Sequence, residues 1–159
     1  MDLFRTSRRV DFCDTDLAGI VHFANFFRYM EAAEVEYLRS KGLSVMMEWE
    51  GQRLAFPRVS VSCDYQKPAH FEEILDIAVT PVRLGAKSVT YAFAFSVDAE
   101  VIAKGRMTSV CCRVDGEEGL ESIEIPDAIR AILEKDMLSQ ADPKEVMQKM
   151  LEEALRQAE

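Results

Sequence analysis

One amphipathic helix ahead of a long β-rich stretch is the feature that most restricts how this chain can fold. The helix is indicated by apolar residues that recur at spacings of three and four, and so share one face: Phe23, Phe26, Met30, Ala33 and Tyr37. Gly42 is suited to end it, because glycine readily adopts the left-handed conformation found just past helix ends. The pattern predicts one long helix in the first third of the chain.

From Leu54 onward the composition is typical of β-strands. Segments rich in Val, Ile, Thr and aromatic residues follow one another, with stretches of period-two alternation. The pieces Ser88 to Val97 and Val101 to Val114 are separated only by Asp98-Ala99-Glu100, which predicts an antiparallel hairpin. A helix followed by an antiparallel meander predicts an α+β fold, with the helix covering one face of the sheet.

Two further helices are predicted at the C-terminal end. A short one starts near Pro126, and a longer one is capped by Asp142 together with Glu145. The longer helix carries an apolar stripe formed by Met147, Met150, Leu151, Ala154 and Leu155. Because an isolated amphipathic helix is barely stable in water, we expect this stripe to pack on the same subunit or on another.

Composition narrows the possible functions. A length of 159 residues suits one hydrophobic core, and the net charge of −9 argues against a nucleic-acid partner, which usually requires a basic surface. No apolar run is long enough for a membrane span, and the start has no readable signal peptide, so we expect a cytoplasmic protein. The four cysteines lack the spacing of metal ligands, so we expect small, reduced, buried side chains rather than a metal site. These cysteines are Cys13, Cys63, Cys111 and Cys112.

Acidic residues are crowded just ahead of the predicted helix, in the pattern D-x-D-x-x-G-I-V-x-F that contains Asp14 and Asp16. Carboxylates near a helix start are common, because the first N–H groups lack partners and the helix dipole is positive there. Asp16, however, precedes Phe23 by seven residues, too far for a cap that bonds two or three residues ahead. A functional role is therefore favoured for Asp16, and an orienting role in the loop for Asp14.

The segment DTDLAGIVHFANFFRYMEAAEVEYL, Asp14 to Leu38, resembles the signature of the 4-hydroxybenzoyl-CoA thioesterase group of hotdog-fold acyl-CoA thioesterases. The resemblance extends from about Phe4 to about Glu134 and is most specific in the segment quoted above. It implies a hotdog fold, in which an antiparallel sheet wraps around one long helix, over residues 1–135. Residues 136–159 would then be a C-terminal amphipathic helix extension. The resemblance also implies a homodimer or homotetramer with active sites at the subunit interface.

The same resemblance implies a catalytic pair. Asp16 matches the catalytic carboxylate, and the backbone N–H of Phe23 would polarise the thioester carbonyl of an acyl-CoA substrate. A helix start supplies both an N–H donor and a positive partial charge where the oxyanion of acyl transfer develops. Asp16 would act either as a nucleophile or as a general base toward water, and the sequence leaves both routes open. The resemblance implies no cofactor.

Candidates for substrate binding come partly from the same resemblance and partly from the positions of basic residues. Glu31 stands where the hydroxybenzoyl enzyme uses an acid to recognise a ring hydroxyl, although a solvated or interface carboxylate is the simpler interpretation. His22 is expected to be a structural or pocket-wall residue. Arg83 and Lys87 flank a predicted glycine turn and are the best candidates for the CoA phosphates. Further basic candidates are Arg58, Lys67, Lys104 and Arg106.

Hydrolysis of an acyl-CoA to free acid and CoA is the expected function, and three other functions compete with it. Hydration of acyl-CoA is disfavoured, because the hydratases of this fold have a histidine five residues after the aspartate, where this chain has Val21. A transcriptional sensor would need a DNA-binding helix pair and basic charge. A non-enzymatic acyl-CoA-binding or assembly protein on the same scaffold remains the alternative, with the C-terminal helix as a docking element.

Overall fold

The fold is described by a computed structural model that covers residues 3–115, 119–137 and 143–156, without the side chains of 143–147 and 154. The predicted cap Asp142 lies outside the described residues, as do the side chains of Glu145, Met147 and Ala154. The elements in chain order are β1 Phe4–Arg9, a 3-10 turn Phe12–Asp14, α1 Asn25–Ser40, β2 Met46–Trp49, β3 Gln52–Ala55, β4 Arg58–Tyr65, β5 Ile74–Leu84, β6 Ser88–Val97, β7 Glu100–Val110, β8 Cys112–Asp115, β9 Gly119–Ser122, α2 Asp127–Glu134 and α3 Pro143–Arg156.

Five strands form an antiparallel sheet in the order β1-β5-β6-β7-β4, and β2-β3-β8-β9 form a smaller sheet. The predicted β6–β7 hairpin is confirmed. Its two-residue turn places Asp98 and Ala99 at φ of 49° and 63°, as a type I′ turn requires. The last predicted strand is interrupted at Cys111, so that β8 leaves the large sheet and joins the smaller one.

Helix α1 packs across one face of the large sheet, and this confirms the predicted α+β arrangement. The approach is close at β7, where a Cβ added to Gly105 would lie 2.3 Å from the Met30 sulfur. Any side chain at position 105 would therefore displace the Met30 side chain from its place between the helix and the sheet. The helix begins at Asn25 rather than at Phe23, which lies in the preceding turn, and Gly42 follows its end with φ of 71°.

A buried ion pair joins α1 to the edge strand β4. Glu34 is fully buried, and its Oε2 accepts hydrogen bonds from Arg58 Nε at 3.0 Å and Nη2 at 2.7 Å. The register of β4 shifts between Arg58 and Ser60, and this bulge allows Arg58 to face the helix. Burial raises the pKa of Glu34, while Arg58 opposes that rise. Arg58, one of the basic candidates for CoA phosphates, is thus engaged inside the protein.

Helix α3 lies on the outer face of the large sheet, opposite α1. Met150 and Leu151 are buried there among small side chains of the sheet, including Ala78, Ala92 and Ala94. Met150 and Leu151 of the C-terminal stripe therefore pack on their own chain, while Leu155 at the end of the stripe is exposed. None of the helices in the described ranges is long and apolar enough to cross a membrane.

The cysteine prediction is right in part. Cys111 and Cys112 are buried and Cys63 is half-buried, but Cys13 is exposed in the 3-10 turn. Burial raises the pKa of Cys63 and of Cys111 to about 11, which keeps both as thiols. Cys13 escapes burial because the loop ahead of α1 lies on the surface, a placement that composition does not indicate.

Replacing Arg58 with Met should destabilise the protein by about 3 kcal/mol, because it leaves the Glu34 carboxylate buried without a positively charged partner. The raised pKa of Glu34 sets the pH dependence. Below the ordinary glutamate pKa of about 4.3, the Glu34 carboxyl is protonated in both the folded and the unfolded state, so the variant loses less stability. The loss of stability grows as the pH rises and the carboxyl must ionise. Urea unfolding of wild type and variant at about pH 4 and about pH 8 measures this difference.

The double variant Arg58→Met with Glu34→Leu serves as the control, since it removes both charges and should recover most of the lost stability. A loss that is equal at both pH values, or a double variant no more stable than the single one, would contradict the assignment of the effect to an unpaired buried carboxylate.

Candidate functional site

The loop between β1 and α1 is fastened to the helix by Asp14. Its Oδ2 accepts hydrogen bonds from the Tyr29 hydroxyl at 2.7 Å and from the Asp11 N–H at 3.2 Å. Its backbone carbonyl accepts from the His22 N–H and from the Asn25 side-chain amide. Burial and the Asp14 hydrogen bond raise the pKa of Tyr29, so its hydroxyl stays a donor. These contacts agree with the orienting role expected for Asp14.

Asp16 lies at the turn of this loop, where backbone bonds define its position. Its N–H donates to the Ile20 carbonyl at 2.9 Å, and its carbonyl accepts from Gly19, which has φ of 77°. Oδ1 accepts the Ala18 N–H at 2.8 Å. Oδ2 has no hydrogen-bond partner within the described ranges. One carboxylate oxygen therefore orients the side chain, and the other is available to a ligand.

A cavity of about 430 Å³ opens beside Asp16. Its wall combines the loop, the start of α1 and the end of β4, and it is lined by Asp16, Ile20, Val21, Phe23, Phe26, Tyr65, Gln66, Lys67, Pro68 and Ala69. A mostly apolar wall with a few polar groups is typical of small-molecule sites. Phe23 and Tyr65 remain 61% and 44% exposed, so the cavity is open on one side.

The turn before the helix, where Phe23 lines this cavity, leaves one backbone donor unpartnered in the described part of the chain. The N–H groups of Asn25 and Phe26 donate to the carbonyls of His22 and Phe23, while the Phe23 N–H has no partner among the described residues. The His22 ring stacks on Phe23, and its Nδ1 accepts the Ala24 N–H at 3.2 Å. The His22 side chain thus binds the turn ahead of α1, while the Phe23 N–H between His22 and Ala24 stays unpartnered within the described ranges.

Tyr65 is a site residue that no sequence pattern indicates. Its hydroxyl donates to the Phe23 carbonyl at 2.8 Å, and its ring meets Phe26 edge-on. Burial, with a smaller contribution from Cys63, raises the pKa of Tyr65 to about 12, so the hydroxyl remains protonated. It holds the helix-start turn against the end of β4. Only the pairing of β4 with β7 brings it there, and no local pattern signals that pairing.

Other predicted binding residues lie away from the cavity. Glu31 is exposed on α1 and does not line it. Arg83 and Lys87 stand at the far end of β5, a strand of 11 residues that spans roughly 30 Å. The Gly85 N–H is already bonded to the Ser88 carbonyl, so it is not the free phosphate donor that the glycine turn suggested. Lys67 does line the cavity and forms an ion pair with Glu100.

Comparison with known proteins identifies the family of this chain. Residues 10–133 match the family model of the thioesterase-like superfamily. A 1,4-dihydroxy-2-naphthoyl-CoA hydrolase from Nostoc punctiforme is 30% identical over 131 residues, which cover 82% of this chain and 86% of that protein.

Solved structures give the same result. A 1,4-dihydroxy-2-naphthoyl-CoA thioesterase from Synechocystis superposes with a TM-score of 0.70 at 25% identity, covering 82% of this chain and 94% of its own. A gentisyl-coenzyme A thioesterase superposes with a TM-score of 0.71 at 27% identity, covering 82% and 99%. The predicted hotdog fold and thioester-hydrolysing class are confirmed, and the chain belongs to the thioesterase-like superfamily.

Proposed function

We propose that this protein hydrolyses hydroxylated aromatic acyl-CoA thioesters at the cavity beside Asp16, and releases the free acid and CoA. The observation that carries the proposal is that Asp16, with one carboxylate oxygen unpartnered in the described ranges, and Phe23, with an N–H likewise unpartnered there, line the same apolar cavity. Relatives named for dihydroxynaphthoyl-CoA and gentisyl-CoA support an aromatic acyl group. An apolar wall suits an aryl ring, and Phe26 and Tyr65 offer edges and faces for it.

In this mechanism the thioester carbonyl oxygen accepts the Phe23 N–H, which stabilises the oxyanion as it forms. Asp16 has two possible roles. As a base, it removes a proton from water, the hydroxide adds to the carbonyl carbon, and the C–S bond breaks as the thiolate takes up the proton. As a nucleophile, its oxygen displaces the thiolate to form a mixed anhydride, which water then hydrolyses. In both roles the reacting oxygen is Oδ2.

Replacing Asp16 with Asn should lower kcat by at least about 100-fold, because the amide can neither accept the proton of water nor attack the thioester. The measurement is release of free CoA thiol from a panel of aryl and alkyl acyl-CoAs. Asp127→Asn is the matched control, since it makes the same change on the exposed first turn of α2 and should keep wild-type rates. A variant at position 16 that keeps most activity would refute the assignment. A wild type that binds the panel but hydrolyses none would favour the non-enzymatic alternative.

Glu31 is proposed to recognise the hydroxyl of the acyl ring, in a site completed by a second subunit. Glu31→Gln should reduce the preference for hydroxyaryl over alkyl acyl-CoA by about tenfold, since a charged hydrogen bond is lost. The ratio of kcat/KM values for the two substrates measures this preference. Glu134→Gln, an exposed change on α2, should leave the ratio unaltered. An unchanged ratio in Glu31→Gln would make Glu31 a solvated carboxylate.

A homodimer or higher homo-oligomer is proposed to form through β4, which is an edge of the large sheet. Val61 and Tyr65 on the face of β4 toward α1 are exposed. The β4 strand of a second subunit would pair with the free backbone N–H and C=O groups of this edge and would cover both side chains. Antiparallel pairing would bring the far end of one sheet, with Arg83 and Lys87, toward the cavity of the other subunit. Both therefore remain proposed contacts for the CoA phosphates.

Val61→Lys should convert the oligomer to monomers, because the like charges would meet across the proposed seam. Light scattering should then give the mass of one chain, against at least twice that mass for wild type. Leu120→Lys provides the control, since Leu120 is similarly exposed on β9, the edge of the smaller sheet. A wild-type protein that is monomeric would contradict the interface.

Residues 1–135 are proposed to form the catalytic hotdog domain, and 136–159 an extension. The family match supports this division because it ends at residue 133. A cytoplasmic location is also proposed, supported by the free thiols of the four cysteines.

A further inference from the structure

A second concave site lies on the outer face of the large sheet, opposite α1. It is a groove of about 260 Å³ between β4, β5, β6 and β7. Two arginines and four hydroxyls line it: Arg83, Arg106, Ser60, Ser62, Thr90 and Thr108. It shares no lining residue with the cavity beside Asp16. The groove is therefore a separate site.

The two arginines have no carboxylate partner within the described part of the chain. Several other arginines of the two sheets are paired with carboxylates in this protein of 28 acidic and 19 basic residues. Arg58 binds Glu34, and Arg113 binds both Asp115 and Glu121. Two unpaired guanidinium groups beside one groove repel each other. An anion placed between them would remove that repulsion.

A β-bulge brings Arg83 to this face. Val79 and Pro81 on β5 face inward toward the core, so simple alternation would also turn Arg83 inward. The β5–β6 register shifts between Pro81 and Arg83, which places Arg83 opposite Thr90 on the outer face. Bulges commonly re-aim a side chain at functional sites.

The register also sets the separation of the two arginines. Thr90 pairs with Thr108 on β7, and Arg106 lies two residues from Thr108 on the same face. Two strand spacings and two residues place the Cα atoms of Arg83 and Arg106 roughly 12 Å apart. Two extended arginine side chains can meet across that distance. Both guanidinium groups can therefore contact one anion above Thr90.

The hydroxyls supply further donors. Thr90 and Thr108 share a hydrogen bond of 2.8 Å between their Oγ1 atoms, so one of the two hydroxyl protons remains available to a ligand. Ser60 and Ser62 are exposed and have no side-chain partner within the described ranges. A tetrahedral oxyanion accepts several hydrogen bonds from such a set, and arginine forks suit phosphate in particular.

We propose that this outer-face groove binds a phosphate group through Arg83 and Arg106. The phosphate belongs either to the nucleotide end of a CoA molecule or to a separate phosphorylated compound. The binding itself is independent of the proposed hydrolysis at Asp16, and it is tested without an activity assay.

Calorimetric titration with inorganic phosphate, at constant ionic strength, tests the site on the full-length chain. Wild type should bind phosphate saturably, and the double variant Arg83→Gln with Arg106→Gln should bind at least tenfold more weakly. Arg39→Gln, which removes an exposed arginine at the end of α1, should bind as wild type does. No saturable binding by wild type, or equal binding by the double variant, would overturn the proposal. Circular dichroism confirms that each variant is folded.

Two substrates distinguish the sources of the phosphate. If it belongs to CoA, the single variant Arg106→Gln should raise KM at least tenfold for an acyl-CoA but not for the same acyl group on pantetheine, which lacks the nucleotide. If it belongs to a separate compound, Arg106→Gln should weaken phosphate binding while KM for acyl-CoA stays unchanged. Both results require the phosphate binding shown by calorimetry.

Discussion

The packing of α1 on the large sheet is the interaction on which the candidate site depends. Glycine at position 105 leaves the space on β7 that the Met30 thioether of α1 occupies. With the helix at that depth, Phe26 reaches both Phe95 of the sheet and Tyr65 of the edge strand. The helix start is thereby held beside the end of β4, where the cavity forms.

The candidate site joins a strongly held frame to a small number of free polar atoms. Asp14, Tyr29 and His22 use their hydrogen bonds to hold the loop and the helix start. Asp16 Oδ2 and the Phe23 N–H are left without partners among the described residues. Such a division is expected where polar atoms must act on a ligand, because groups that bond each other are not available for chemistry.

Both arginine placements show how bulges change the face that a strand presents. One bulge lets Arg58 turn toward α1 to meet Glu34, and another brings Arg83 onto the outer face beside Thr90. A reading of strict alternation assigns both residues to the wrong face. The basic residues of the sheet were therefore the least predictable part of the site, since their roles depend on the register of neighbouring strands.

Local patterns predicted the elements more reliably than their contacts. The period of the apolar residues from Phe26 to Tyr37 determined α1, and the Asp98-Ala99 turn determined the β6–β7 hairpin, because both depend on residues near one another in sequence. The break at Cys111 was not predictable, because it depends on β8 leaving the large sheet to pair with β3.

By itself, the sequence determined the fold class, the order of helix and strands, and the position of Asp16 ahead of a helix start. The family motif and the apolar period carry that information in contiguous residues. Only the tertiary structure decided that Tyr65 holds the helix-start turn, that Arg58 is neutralised inside the protein, and that α3 covers the outer face of its own sheet. These contacts join residues from distant parts of the chain, and their geometry depends on packing that no local pattern encodes.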